Sequence, residues 1–213
     1  MLPLKEYFLL DPTIVFLNHG SYSAIPRPVF EAYQNWQLRM ERQPVLFLSR
    51  ELPALLHESR AALGKYLNAD PDDLVYIPNA THGINIVARS LDLMPGDEIL
   101  TTDHEYGACD YAWQFNCEKT GSRYIHQPIP MPVQTEEGIL EQFWRGVTVQ
   151  TKVVYLSYIT SSTALRLPVE EICQRAKERG IRTIVDAAHS LGLIHVDLQA
   201  LGADIVFGNF HKY

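Results

Sequence analysis

The chain has 213 residues, 46% hydrophobic and 20% charged, enough for one substantial folded core. Its formal net charge of −7, with no run of Lys and Arg, argues against nucleic acid or an anionic membrane surface as the main partner. The first twenty residues lack a basic region ahead of a clean apolar stretch, and no apolar run is long enough to span a bilayer. Three cysteines (Cys109, Cys117, Cys173) form no CxxC pair and no even set, so neither a disulfide framework nor a zinc knuckle is indicated, and the cytoplasm is the expected compartment.

In chain order, residues 1–28 are irregular, with prolines at 3, 12, 26 and 28 and a turn-rich Asn18-His19-Gly20-Ser21. Helical periodicity predicts helices over Val29–Met40 and Leu52–Leu67. A strand is expected over Leu74–Ile77, a helix over Thr81–Leu91 and a strand over Glu98–Thr102. Next come a helix over Gly107–Thr120, a strand over Arg123–Gln127, a proline-rich loop and a helix over Glu136–Gly146. The last part reads most clearly: strand Lys152–Leu156, amphipathic helix Val169–Arg179 capped by Gly180, strand Ile181–Val185, a helical turn Leu198–Leu201 and strand Asp204–Phe207. Short apolar strands alternating with amphipathic helices define an α/β domain with a mostly parallel sheet.

In such sheets ligands sit beyond the carboxyl ends of the strands. The post-strand segments here are Pro-Asn-Ala-Thr-His-Gly (78–83), Asp-His-Glu-Tyr-Gly (103–107), Ser-Tyr-Ile-Thr-Ser-Ser-Thr (157–163), Asp-Ala-Ala-His-Ser (186–190) and Gly-Asn-Phe-His-Lys (208–212). Taken singly, Asp186 reads equally well as a turn or cap residue, Lys212 as a solvated lysine and His189 as a satisfied core histidine. Thr81 reads as an N-cap, although the helix start beside it also offers N–H donors to a phosphate.

Together they form a constellation. Asp-x-x-His after one strand and His-Lys after the next resemble the cofactor site of the class V aminotransferase superfamily, fold-type I enzymes that use pyridoxal 5'-phosphate (PLP). That superfamily includes cysteine desulfurases, isopenicillin N epimerase-like proteins, kynureninases and carbon–sulfur lyases. The resemblance runs from about Phe16 (FLNHGSYSAIP) to the end of the chain, and IVDAAHSLGLIHVDLQALGADIVFGNFHK is its most specific part.

The resemblance implies a three-layer α/β sandwich, the aspartate aminotransferase-like large domain. Residues 1–28 would be an arm near the substrate mouth and 29–213 the N-terminal part of that domain, cut off after the lysine. Relatives continue with a C-terminal domain that supplies the arginine for the substrate carboxylate and, in desulfurases, the catalytic cysteine. None of the three cysteines here is therefore assigned that role.

By the same resemblance Lys212 carries PLP as a Schiff base, Asp186 holds the proton on the pyridine nitrogen, and His189 bonds near the ring hydroxyl. Ala80 (through its N–H) and Thr81 (through N–H and hydroxyl) receive the phosphate, with Asn209 and His211 adding side-chain donors. Tyr106 falls at the ring-stacking position, where desulfurases place an acid–base histidine, and Ser161 falls where they place an asparagine. Both departures favour the epimerase-like or lyase-like branch. Asn18 and His19, with Gly20, match the segment lining the substrate mouth, and Arg27, Arg50 and Arg166 are further candidates for a carboxylate.

The implied function is an amino-acid-converting PLP enzyme (aminotransferase, epimerase or carbon–sulfur lyase), a homodimer with no metal. The alternative is a catalytically silent homologue, or an incomplete fragment, serving as a binding or assembly module. A nucleotide-binding domain ranks lower, because the chain has neither GxGxxG nor GxxxxGK[ST].

Overall fold

A computed structural model describes residues 4–133 and 135–212. By contacts the chain divides into two compact units, Met1–Val75 with His211–Tyr213, and Tyr76–Phe210.

The first unit is helical. A 3-10 turn (Leu4–Tyr7) precedes α1 (Arg27–Arg42), which carries proline in its first turn, where the missing N–H does no harm. The chain then runs through α2 (Pro44–Leu46), a π-helical turn (Phe47–Glu51) and α3 (Leu52–Leu67). Phe47 is buried in that π turn, its ring 6.3 Å from that of Trp36, and Arg39 pairs with Glu51 at 2.8 Å. α3 stops at Asn68 in the left-handed conformation (φ 51°), and Asp70 caps the 3-10 turn Pro71–Asp73 by accepting the Asp72 N–H.

The second unit is a five-stranded parallel sheet: β1 (Glu98–Thr102), β2 (Arg123–Gln127), β3 (Thr151–Ser157), β4 (Arg182–Asp186) and β5 (Ile205–Phe207), in the order β2-β1-β3-β4-β5. Its helices are α4 (Ala80–Ser90), α5 (Gly107–Thr120), α6 (Glu136–Trp144), α7 (Val169–Glu178) and the short α8 (Leu198–Leu201). β1 and β4 are buried almost throughout, as expected of strands covered on both faces, whereas the edge strand β2 is half-exposed. Ile84, Ile99, Trp113, Tyr155 and Ile184 pack fully buried in one cluster. α4 rides so close to β5 that a Cβ on Gly83 would lie 2.8 Å from Ile77 and 3.1 Å from Phe207.

The expected α/β architecture is therefore present, and all five strands are parallel. One element differs. Leu74–Ile77 forms no strand, because among the described residues it has no ladder partner, and Val75 is largely exposed. Asp186 closes its strand as expected: it is the last residue of β4, in register with Ser157 of β3 and Phe207 of β5.

Candidate active site

The topology of the second unit fixes where a ligand crevice lies. From β1 the chain passes through α5 to β2 on one side, then returns through α6 to β3 on the other side of β1. The strand order thus reverses between β1 and β3, and the crevice beyond the carboxyl ends opens at such a switch point. The register between these strands ends at Leu100–Val154, so their last residues are free to take other partners.

Asp186 lies at this carboxyl edge and is 5% exposed. Its Oδ1 accepts the Ala188 N–H at 2.8 Å; its Oδ2 lies 3.6 Å from Cys109 Sγ and 3.5 Å from the Tyr155 hydroxyl. Burial first, then the Asp186 charge, pushes the Cys109 thiol and the Tyr155 phenol upward, so both keep their protons and face the carboxylate as donors. His189, half-buried, follows three residues later, and the backbone continues the edge: Tyr158 N–H donates to Asp186 O at 2.9 Å and Ala187 N–H to Phe207 O at 2.7 Å.

The start of α4 is joined to the segment after β5. Asn79 caps the helix by accepting the His82 N–H at 2.8 Å, and Asn209, itself buried, accepts the Ala80 N–H at 3.0 Å. The Ala80 N–H, expected to face a phosphate, is thus held by the side chain of Asn209, another of the expected cofactor residues. Thr81, one place on and exposed, has no partner for its N–H among the described residues. Gly208 keeps this region tight: a Cβ there would meet Leu191 Cδ1 at 2.6 Å and Ala187 O at 3.1 Å.

Tyr106 precedes α5 with its side chain half-exposed, and Ser161 lies exposed in the turn after β3. Arg166 is taken by Glu170 at 3.2 Å and lies over the Tyr158 ring, so it is not a free cation for a carboxylate. The remaining candidates belong to the first unit. His211 is exposed and Lys212 half-buried in the turn after Phe210. Asn18 O accepts the Ser21 and Tyr22 N–H groups, and His19 packs edge-on against Phe16 at 4.7 Å; Arg27 and Arg50 are exposed.

The sequence reading missed Glu105. Its Oε1 accepts the Thr102 hydroxyl at 2.7 Å, and its Oε2 accepts both the Ser157 N–H at 2.9 Å and the Ser157 hydroxyl at 2.6 Å. Burial pushes its pKa up to about 7 against the pull of the Ser157 and Thr102 donors, with a further rise from Asp186. The available signal was its place in the polar segment after β1. Cys109 and Tyr155 gave none, since each reads as core. Among the described residues no group of three or more His, Cys, Asp and Glu could hold a metal, and no helix is long and apolar enough to cross a membrane.

The fold and site define a class. The aminotransferase class-V family matches residues 15–213, and the chain belongs to it. It is 36% identical over 213 residues to isopenicillin N epimerase of Amycolatopsis lactamdurans, covering 98% of this chain and 53% of that protein. It is 28% identical over 224 residues to a probable chloroplastic L-cysteine desulfhydrase of Arabidopsis thaliana, covering 98% and 47%. The fold matches that of a C-DES mutant with glycine covalently linked to the PLP cofactor, at a TM-score of 0.87 and 24% identity, over 99% of this chain and 56% of that one. The chain spans about half the length of the curated relatives it matches.

Family and fold point to PLP as the cofactor. The donor set of the second unit fits that group: an eleven-residue helix whose second residue offers an N–H, a buried carboxylate at a strand end, and a half-exposed ring at the switch point.

Proposed function

We propose that the protein binds PLP through Lys212 and converts an amino acid by breaking a bond at its Cα, by epimerisation or carbon–sulfur elimination. The observation that carries this reading is Asp186, a carboxylate 5% exposed at the carboxyl edge of a parallel sheet and backed by three donors. Bound there, PLP supplies a sink for the electrons left at Cα.

The chain's own residues do the rest. Lys212 supplies the amine that carries the cofactor. Asp186 holds the proton on the ring nitrogen, and His189 bonds near the ring hydroxyl. Ala80 through its N–H and Thr81 through its N–H and hydroxyl receive the phosphate, and Asn209, which meets the first N–H of α4, adds its side-chain donor. Tyr106 stacks on the ring, and Ser161 and His211 complete its surroundings. Asn18 and His19 line the substrate mouth.

Two features support epimerase-like or lyase-like chemistry over desulfuration. Tyr106 stands where desulfurases carry histidine. Ser161 stands where they carry asparagine. Between the two remaining readings, the higher identity to isopenicillin N epimerase than to the desulfhydrase favours epimerisation. A homodimer in the cytoplasm completes the reading, in keeping with three free, buried thiols.

The test is the visible spectrum of the full-length protein with PLP beside Lys212→Ala. A yellow band lost in the variant, with the borohydride-fixed cofactor mapping to the Lys212 peptide, supports the reading. Conversion of L- to D-amino acid, or release of sulfide and ammonia from cysteine, then selects the reaction. A well-folded protein with no band overturns the reading and leaves a silent homologue.

A further inference from the structure

Glu105 lies across the point where β1 and β3 part. Beyond Leu100–Val154 these strands have no registered pair, so the Ser157 N–H lacks a partner on β1. The Glu105 carboxylate takes it instead. One oxygen holds the Ser157 N–H and hydroxyl at 2.9 and 2.6 Å; the other holds the Thr102 hydroxyl at 2.7 Å, and Thr102 Oγ1 in turn accepts the His104 N–H at 3.3 Å. A single side chain therefore closes the four-residue turn between β1 and α5 on itself and fastens it to the end of β3.

What this turn presents is Tyr106, one residue on, and what the end of β3 leads into is the segment bearing Ser161. The next strand is tied into the same edge by the Tyr158 N–H on Asp186 O. Tyr106 is the N-cap of α5: its carbonyl accepts the Cys109 and Asp110 N–H groups at 2.8 and 3.1 Å, but its side chain makes no cap bond, and Gly107 beside it has open space where a Cβ would stand. A carboxyl group bonded at once to the Ser157 N–H and to the Ser157 and Thr102 hydroxyls holds the turn from two strand ends, one residue from the ring it would aim.

We propose that Glu105 is a positioning residue, whose carboxylate bridges the switch point and fixes where the Tyr106 ring stands relative to Asp186 and the Ser161 segment. This rests on the reading of Tyr106 as the ring that stacks on the cofactor. Glu105 itself touches neither cofactor nor substrate.

The experiment compares wild type, Glu105→Ala, Glu105→Gln, Tyr106→Ala and the Glu105→Ala/Tyr106→Ala double variant in the full-length protein. In the apoprotein, amide hydrogen exchange should speed up at Ser157 and over residues 104–109 in Glu105→Ala. In the PLP-loaded protein the circular dichroism of the cofactor band reports how the ring is held. It should fall in Glu105→Ala to the level of Tyr106→Ala, and no further in the double variant, while the absorbance band persists. Glu105→Gln, which keeps one acceptor oxygen and the side-chain length, should lie between; it carries the test should Glu105→Ala not fold. Wild-type dichroism in Glu105→Ala or Glu105→Gln, or additive losses in the double variant, overturns the proposal. Absence of any cofactor band in wild type sinks the functional reading instead, and the exchange data still decide whether Glu105 holds the turn.

Discussion

Asn209 and Ala80, 129 positions apart, are joined by one buried hydrogen bond of 3.0 Å from the Ala80 N–H to Asn209 Oδ1. It ties the first turn of α4 to the segment after β5, and the Ala80 N–H is one of the donors a helix start leaves without an intrahelical partner. Replacing Asn209 by Ala strands that N–H in a buried site. The expected loss is about 1–3 kcal/mol by urea unfolding, together with weaker PLP binding. A stability equal to wild type would show that water replaces the side chain at no cost.

The Glu105 carboxyl, at a pKa of about 7, makes stability depend on pH in a set direction. Its folded pKa lies above the ordinary 4.5, so its contribution is fully present below 4.5 and is lost as the pH rises through 7. The ionisable groups around it are Asp186, Cys109, Tyr155 and Tyr124, and burial pushes the last three far upward, so they stay protonated over this window. Between pH 5 and 8 wild type should lose up to about 3 kcal/mol relative to Glu105→Gln. Parallel curves for the two proteins in chemical denaturation would contradict this.

Gly208 is a packing requirement. A methyl group there would press on Leu191 Cδ1 and on the Ala187 carbonyl, and the backbone carbonyl has little freedom to retreat. Gly208→Ala should destabilise by about 1–3 kcal/mol, read as a lowered thermal midpoint. Gly180→Ala, with open space at the Cβ position but φ +68°, should show conformational strain alone.

The thiols should be silent. Cys109 and Cys173 are 1% exposed and Cys117 7%, and burial raises all three above the ordinary thiol range. Alkylation of the native protein at pH 8 should leave all three unmodified, with reaction only after unfolding. Rapid labelling of Cys109 would show that the carboxyl edge opens in solution.

Most of the second unit is legible in the sequence. Runs such as Val153-Val154-Tyr155-Leu156 and the amphipathic Val169–Glu178 announce a covered strand and its helix through local periodicity. Leu74–Ile77 carries the same apolar signal and forms no strand, because a strand exists only against a neighbour, and neighbours are not written locally. Asp186 was readable as a carboxylate closing an apolar strand. Glu105 was not readable: its partner Ser157 is 52 residues away, and only the place where β1 and β3 part brings them together.

The sequence by itself determined the alternation of strands and helices, the family, and the residue types at each strand end, since these follow from local pattern and motif. Tertiary structure alone decided which strand ends adjoin, that Asn209 meets the Ala80 N–H, and that Glu105 spans the switch point. The physical reason is that hydrogen bonds between distant segments depend on strand order and register, which are set by the burial of the whole sheet and not by any stretch of sequence.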